Sequence, residues 1–164
     1  MTGIQAIKTA LQQTQQNLAW YVSDFTDAEL LVRPLPGANH AAWQIGNVIG
    51  GDAFFVNAEM PNAVFPTLPP GFLELHGSKG AANDGPEGFL TKAEYLKLFD
   101  ETRAATIAAL ETLSDADLDK PTSEKMRAWT PTLGHLFIMA SNHTLMHGGQ
   151  FSVIRRKLGK PVLM

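Results

Sequence analysis

The chain has 164 residues, of which 45% are hydrophobic and 18% charged, and its formal net charge is −3. This length suits one domain with a substantial core, so we expect residues 1–164 to form a single domain. The acidic balance argues against a nucleic-acid surface. Cysteine is absent, which excludes a disulfide scaffold, a thiolate nucleophile and a cysteine-ligated zinc. No apolar run or signal-peptide pattern points to a membrane, so we expect a cytoplasmic protein.

The first predicted helix covers residues 3–25, where apolar residues recur at helical spacing. The sequence TDAE at residues 26–29 resembles a capping box and predicts a short helical turn. Prolines and a glycine at residues 34–37 then break the chain. A second helix is predicted from Asn39, a suitable N-cap, to about Ala58.

Three glycines interrupt the second helix: Gly46, Gly50 and Gly51. Each costs a helix about 1 kcal/mol relative to alanine, so we expect a neighbouring backbone or a ligand to approach closely there. Residues 60–91 are rich in proline and glycine and show no periodicity. A segment of this kind is either a long crossover or a lid over a site. Its apolar residues would form an interface or cap the helices; they are Phe65, Leu68, Phe72 and Leu73.

A third helix is predicted over residues 91–113, followed by a second cap-and-turn pattern at residues 114–117. The last helix is predicted to begin at Pro131, with Thr130 as N-cap, and to end before Gly159. Short similarities between the two halves suggest a duplicated helical pair. The predicted fold is therefore all-α, a four-helix bundle with a long crossover between helices 2 and 3.

Two histidines, His143 and His147, lie four residues apart on the last helix, which places them on one face and about 6 Å apart. They continue the apolar stripe of that helix and should face the protein interior. An unpaired buried polar group costs about 1–3 kcal/mol, so both imidazoles need partners. A shared metal ion is one possibility; a buried tyrosine, threonine or carboxylate is another.

The order of these motifs over nearly the whole chain resembles the DinB-like (DinB/YfiT) superfamily. Residues 36–46 are similar to that family's entry to its second helix, and residues 72–77 to its long middle connection. The last helix matches in its His-x-x-x-His followed by Gly-Gln, two arginines and Gly-Lys-Pro. The resemblance implies a four-helix bundle and a divalent metal ion, commonly zinc or nickel, bound by three histidines.

Two of those histidines match His143 and His147, whereas the position of the third holds Asn47. A carboxamide oxygen is a poorer ligand for zinc or nickel than an imidazole. The predicted metal ligands are nevertheless His143, His147 and Asn47. The residues predicted to support them or to contact a substrate are Gln150, Trp43 and His76.

Other polar residues are poor substitutes for the missing histidine. His40 lies about two turns upstream of Asn47, and Asp52 about 140° around the helix from it. His135 lies about 12 Å along the axis from His143, too far to share an ion, and we expect a core or partner-bonded histidine there.

Two functions remain open. The resemblance implies a metal-dependent hydrolase or a thiol S-transferase, in which an ion lowers the pKa of a bound water or thiol. Any thiol would belong to the small-molecule substrate, and Arg127 or His76 would contact its anionic group. Alternatively, Asn47 marks a metal-free site in a non-catalytic, small-molecule-binding or stress-associated bundle. Contact with DNA has no support from the acidic pI; a homodimer is implied by the family.

Overall fold

The computed structural model describes residues 1–163, and these residues are all-helical, as the sequence predicted. Numbered in chain order, the helices are α1 (Gly3–Tyr21), α2 (Asp27–Leu30), α3 (Ala41–Glu59), α4 (Phe72–Leu75), α5 (Lys92–Glu111), α6 (Glu124–Arg127) and α7 (Leu133–Lys157). Short 3-10 helices cover Ser78–Gly80 and Asp115–Asp119. Among the helices of residues 1–163, none has the length and apolarity needed to cross a membrane.

Helix α3 begins one residue later than predicted, because His40 and not Asn39 is its N-cap. The imidazole Nδ1 of His40 accepts a hydrogen bond of 3.1 Å from the backbone N–H of Trp43. Its other nitrogen lies 3.1 Å from the carbonyl oxygen of Asn83 and donates to it. A histidine is therefore used where the sequence favoured an asparagine, because the ring reaches two backbone groups at once.

The start of α7 was also predicted wrongly, since Thr132 and not Thr130 is its N-cap. Residues before it are held extended by the segment before α6. The N–H of Thr122 donates to the carbonyl of Pro131 at 3.1 Å, and the N–H of Leu133 donates to Lys120 at 3.0 Å. This pairing, in which Pro121 lies opposite Thr132, delays the start of the helix from Pro131 to Leu133.

The four long helices surround two clusters of buried apolar residues. Helix α1 packs against α5 and α7, and α3 packs against the same two helices. One cluster includes Leu18, Ile45, Phe99 and Phe151. The other includes Leu11, Val56, Leu110 and Leu136.

Between the two clusters, each long helix contributes buried or half-buried polar side chains. We call this set the polar layer; its members are Thr14, Asp52, Thr102, Arg103, Thr106, His143, Thr144 and His147. The layer crosses the middle of the protein, and both predicted histidine ligands belong to it. Its position explains why polar residues occur in the otherwise apolar stripes of these helices.

The segment at residues 60–91 is fastened to the rest of the protein. The guanidinium of Arg33 donates to the carbonyls of Ala38 and Ala81 at 2.7 Å and of Asn83 at 3.1 Å, and it pairs with Asp84. Phe65, Leu68 and Phe72 pack onto the apolar clusters, as capping residues would. Leu73 remains 57% exposed.

Candidate metal centre

Helices α3 and α7 bring the predicted ligands together in the polar layer. The Nε2 atoms of His143 and His147 lie 3.2 Å apart. The Oδ1 atom of Asn47 lies 3.1 Å from Nε2 of His143. His147 is buried and His143 is half-buried. Of the three side chains that the sequence singled out, His143 therefore lies within contact distance of both others.

Neighbouring backbone carbonyls determine the orientation of two amides at the site. The Nδ2 atom of Asn47 donates to the carbonyl of His76 at 2.8 Å, so its Oδ1 faces His143. The Nε2 atom of Gln44 donates to the carbonyl of Asn39 at 2.7 Å. The Oε1 atom of Gln44 then accepts from Nδ1 of His147 at 3.0 Å, which leaves a lone pair on the His147 Nε2 atom.

This arrangement of atoms is compatible with either a proton or a metal ion between the imidazoles. A hydrogen on Nε2 of His143 would donate to Asn47 or His147, both of which present acceptors. In a tetrahedral site with metal–nitrogen bonds of roughly 2.0–2.1 Å, two ligand nitrogens lie about as far apart as the Nε2 atoms of His143 and His147 do here. Within residues 1–163, no group of three or more histidine, aspartate or glutamate side chains could hold an ion. The third donor would be the amide oxygen of Asn47.

Burial keeps both imidazoles neutral at physiological pH. Burial lowers the pKa of His143, and the nearby Arg103 guanidinium lowers it further. Burial also lowers the pKa of His147 to about 4, with a further contribution from His143 and an opposing one from Gln150. The neutral imidazole is the form that binds a metal, so protons do not compete with an ion at neutral pH.

The residues predicted to support the ligands have different roles. The indole of Trp43 stands edge-on to His147, with ring centroids 6.4 Å apart, and donates to the carbonyl of Gly77. Gln150 is exposed on the turn after His147. Trp43 therefore supports His147 by packing, whereas Gln150 only opposes the lowering of the His147 pKa.

His76 is held inside the protein by hydrogen bonds. Its Nδ1 lies 2.8 Å from the carbonyl of Phe72, and its Nε2 lies 2.6 Å from the hydroxyl of Tyr95. The side chain is buried, so both ring nitrogens are already engaged inside the protein. The predicted contact of His76 with an anionic substrate group therefore has no support, although its ring lines a cleft.

Other candidate residues lie away from the ligands. His135 is exposed and bonded to the hydroxyl of Thr132 at 2.9 Å, so it is partner-bonded but not a core residue. Arg127 is exposed and donates to the carbonyl of Thr122 at 3.2 Å, away from the cleft beside His143. Its predicted contact with substrate is therefore not supported.

Two of the interrupting glycines of α3 make room for histidines. A Cβ on Gly46 would lie 2.0 Å from the ring of His76, and one on Gly51 would lie 3.1 Å from the ring of His143. The expected close approach exists, but side chains make it and not a backbone. On α7, by contrast, a Cβ on Gly149 would meet nothing within 4 Å.

An apolar cleft of about 830 Å³ opens beside His143. It is lined by Gly46, Asn47, Gly50, Gly51, Phe54, Phe55, Leu73, His76, Gly77, Trp129, His135, Ile138, Met139, Asn142, His143 and Met146. Neither this cleft nor the role of Gln44 was predicted from the sequence. The signal for Gln44 was its position three residues before Asn47, which places both amides on the same side of α3.

Comparison with known proteins agrees with the motif order. The model of the DinB superfamily matches residues 10–151, which is most of the chain. No curated protein matches significantly. The family match covers α1 to the middle of α7, including both imidazoles and Asn47. The chain therefore belongs to the DinB superfamily.

Proposed function

We propose that this protein is a metal-dependent enzyme, a hydrolase or a thiol S-transferase, whose zinc or nickel ion is bound by His143, His147 and Asn47. The convergence of two neutral Nε2 atoms and one amide oxygen beside an open cleft carries the proposal. The pairwise contacts of the four long helices further support a four-helix bundle in which residues 60–91 are the crossover.

In this proposal the chain orients two of the three ligands, His147 and Asn47, before an ion arrives. Gln44 accepts the Nδ1 hydrogen of His147 and so directs the lone pair of Nε2 toward the site. The carbonyl of His76 orients the Asn47 amide in the same way. Ligands that are already oriented lose little conformational entropy on binding, which partly compensates for the weak third donor.

A divalent ion at this position would lower the pKa of a water or a substrate thiol, so that an anionic nucleophile exists at neutral pH. The apolar walls of the cleft limit access of water to the reacting group and strengthen electrostatic interactions there. Because the chain has no cysteine, a thiol nucleophile would come from the substrate.

One observation favours the alternative of a metal-free binding protein. The hydrogen bonds of Asn47, His143 and His147 form a connected network that needs no ion, because Gln44 and Asn47 accept the available imidazole hydrogens. In this alternative, the amide and imidazole groups would bind a small polar ligand group directly. The two functions make opposite predictions about added metal.

Metal content and thermal stability distinguish the metal-dependent enzyme from the metal-free binding protein. We expect zinc or nickel in protein purified without a His-tag, and a rise in Tm of roughly 5–10 °C when either ion is present at about 100 times its Kd. His147→Ala should abolish the shift. His135→Ala is the matched control, because it removes an exposed imidazole of the same helix and should leave the shift unchanged.

The weak third donor, Asn47, allows a second test of the proposed metal site. Asn47→His should increase zinc affinity at least tenfold, since imidazole is the better ligand, and the change is measured by competition with a chelating dye. Protein that contains no metal and whose Tm ignores both ions would contradict the enzyme proposal and leave the metal-free alternative.

A further inference from the structure

The cleft beside His143 has an unusual lining for a protein in which 18% of the residues are charged. In the part of the chain that the structure describes, the lining contains no aspartate, glutamate, lysine or arginine. Its walls are apolar side chains, several of them strongly exposed. Trp129 is 74% exposed, Phe54 is 52% exposed and Met146 is 52% exposed.

Exposed large apolar side chains are costly to leave in water unless they serve an interaction. Here they lie around a concave surface whose volume is that of a small-molecule site. Five polar side chains line the cleft: Asn47, His76, His135, Asn142 and His143. Asn47 and His143 belong to the candidate metal centre, and most of the other lining side chains are apolar.

One cationic group adjoins the cleft without lining it. The ammonium of Lys125 is 5.7 Å from the centroid of the Phe54 ring, in a smaller adjoining hollow of about 280 Å³. Without a bound metal ion, a charged ligand group inside the main cleft would lose its hydration without gaining an opposite charge from its lining, which is strongly unfavourable. The lining thus selects against carboxylates, sulfonates and phosphates.

We propose that this cleft binds a neutral, largely apolar small molecule with an aromatic or alkyl body, whose polar end points to His143 and Asn47. The inference assigns a substrate class to the proposed enzyme and rests on that function for the meaning of the site. Binding itself requires no metal ion, so the two ideas are tested separately.

Two fluorescent probes of nearly the same shape test the charge selection. N-phenyl-1-naphthylamine is neutral, and 8-anilino-1-naphthalenesulfonate carries the same two aromatic groups plus a sulfonate. We expect saturable binding of the neutral probe with one site per chain, and affinity for the sulfonate at least tenfold weaker. Equal affinities, or no saturable binding of the neutral probe, would overturn the proposal.

Two neighbouring residues of α7 provide a matched pair of variants. Met146 and Leu145 are 52% and 53% exposed, but only Met146 lines the cleft. Met146→Glu should weaken binding of the neutral probe at least tenfold, whereas Leu145→Glu should leave it within twofold. Because both side chains are exposed, both variants should fold, as circular dichroism would show. Equal effects of the two variants would contradict a site in the cleft.

The same titrations in chelator and in added zinc separate this inference from the proposed function. If the protein binds no metal but binds the neutral probe selectively, the ligand site is supported and the enzyme proposal is contradicted. If it binds zinc but does not distinguish the two probes, the enzyme proposal is supported and the neutral-ligand site is contradicted. If a second copy of the chain occupied the cleft, sedimentation would show a dimer that Met146→Glu dissociates. Probe binding would then weaken as the protein concentration rises. That result would also overturn the proposal.

Discussion

The imidazole of His40 connects the start of α3 to the segment at residues 60–91. Its Nδ1 accepts from the N–H of Trp43, and its Nε2 donates to the carbonyl of Asn83. Only the neutral ring can do both, because protonation places a hydrogen on Nδ1. The N-cap of a long helix thus depends on the protonation state of one buried side chain.

We therefore expect a pH-dependent contribution of His40 to stability. Burial lowers the pKa of His40 below 6.5, the value of the unfolded chain, although the carbonyl of Asn83 opposes this effect. Below pH 6.5 the unfolded chain binds a proton that the folded chain does not, so stability is lost as the pH falls. His40→Asn keeps an N-cap and removes the titration, and should lose less stability between pH 7 and pH 5.

Urea unfolding at the two pH values measures this difference. His135→Asn is the control, since it replaces an exposed histidine and should lose as much stability as the wild type. An unchanged pH dependence in His40→Asn would show that its N-cap bond does not limit stability at low pH.

Gly46 and Gly149 lie in long helices but have opposite surroundings. A Cβ at Gly46 would lie 2.0 Å from the buried ring of His76, whereas a Cβ at Gly149 would meet nothing within 4 Å. Gly46→Ala should destabilise the protein by at least about 1–3 kcal/mol, because the ring cannot move without breaking its bond to Tyr95. Gly149→Ala should stabilise it by up to about 1 kcal/mol through helix propensity. Urea denaturation would reveal both effects, and equal effects would contradict this explanation.

At the site, side-chain periodicity made the histidines predictable but not their partners. His143 and His147 continue an apolar stripe, so their inward direction follows from helical geometry alone. Gln44 could not be identified as the partner of His147 until the structure showed which side of α3 lies against α7. The same holds for the cleft, because Trp129 and Met146 are separated by seventeen residues and meet only around a concave surface.

At the level of elements, the polar layer joins α3, α5 and α7 through a buried ion pair. The Nη2 atom of Arg103 lies 3.1 Å from Asp52 and donates to the hydroxyl of Thr144 at 2.6 Å. Asp52 and Arg103 are both completely buried. Arg103 was not singled out from the sequence, because its partner Asp52 lies fifty-one positions earlier in the chain and no local pattern connects the two.

Breaking this pair should cost far more than replacing it. Arg103→Met should destabilise the protein by about 3–5 kcal/mol, because it leaves the Asp52 carboxyl group buried without an opposite charge. The double variant Asp52→Leu/Arg103→Met should recover most of that loss in urea unfolding. A double variant as unstable as the sum of its two single variants would contradict the coupling.

The single variant also has a pH signature. Burial raises the pKa of Asp52 above that of the unfolded chain, and Arg103 opposes the rise. Removing the guanidinium strengthens the rise, so the folded form retains a proton that the unfolded chain has released. Stability of Arg103→Met should consequently fall more steeply than that of the wild type as the pH rises from 4 to 7.

At the scale of the whole molecule, features that depend on contacts distant in sequence were not predictable from local patterns. The capping box at Thr26 formed as predicted, because it depends on residues three positions apart. The start of α7 was misplaced because Lys120 and Thr122 pair with the residues before it. The segment at residues 60–91 has no periodicity, so its fastening by Arg33 could not be read from its own sequence.

Arg33 provides a test of whether that segment opens as a unit. Lys79 is the only trypsin site between Arg33 and Lys92, and it lies in the part of the segment that Arg33 holds through the carbonyls of Ala81 and Asn83. Arg33→Ala removes these bonds and should increase the rate of native-state cleavage at Lys79 at least tenfold, because cleavage follows the population of the open form.

Arg127→Ala is the matched control, since it also removes a guanidinium bonded to a backbone carbonyl, but away from this segment. Its cleavage rate at Lys79, followed by mass spectrometry, should equal that of the wild type. Faster cleavage with unchanged far-ultraviolet circular dichroism would mean local opening of the segment while the long helices persist. If Arg33→Ala and the wild type were cut at the same rate, the apolar contacts of Phe65, Leu68 and Phe72 would be sufficient to hold the segment closed.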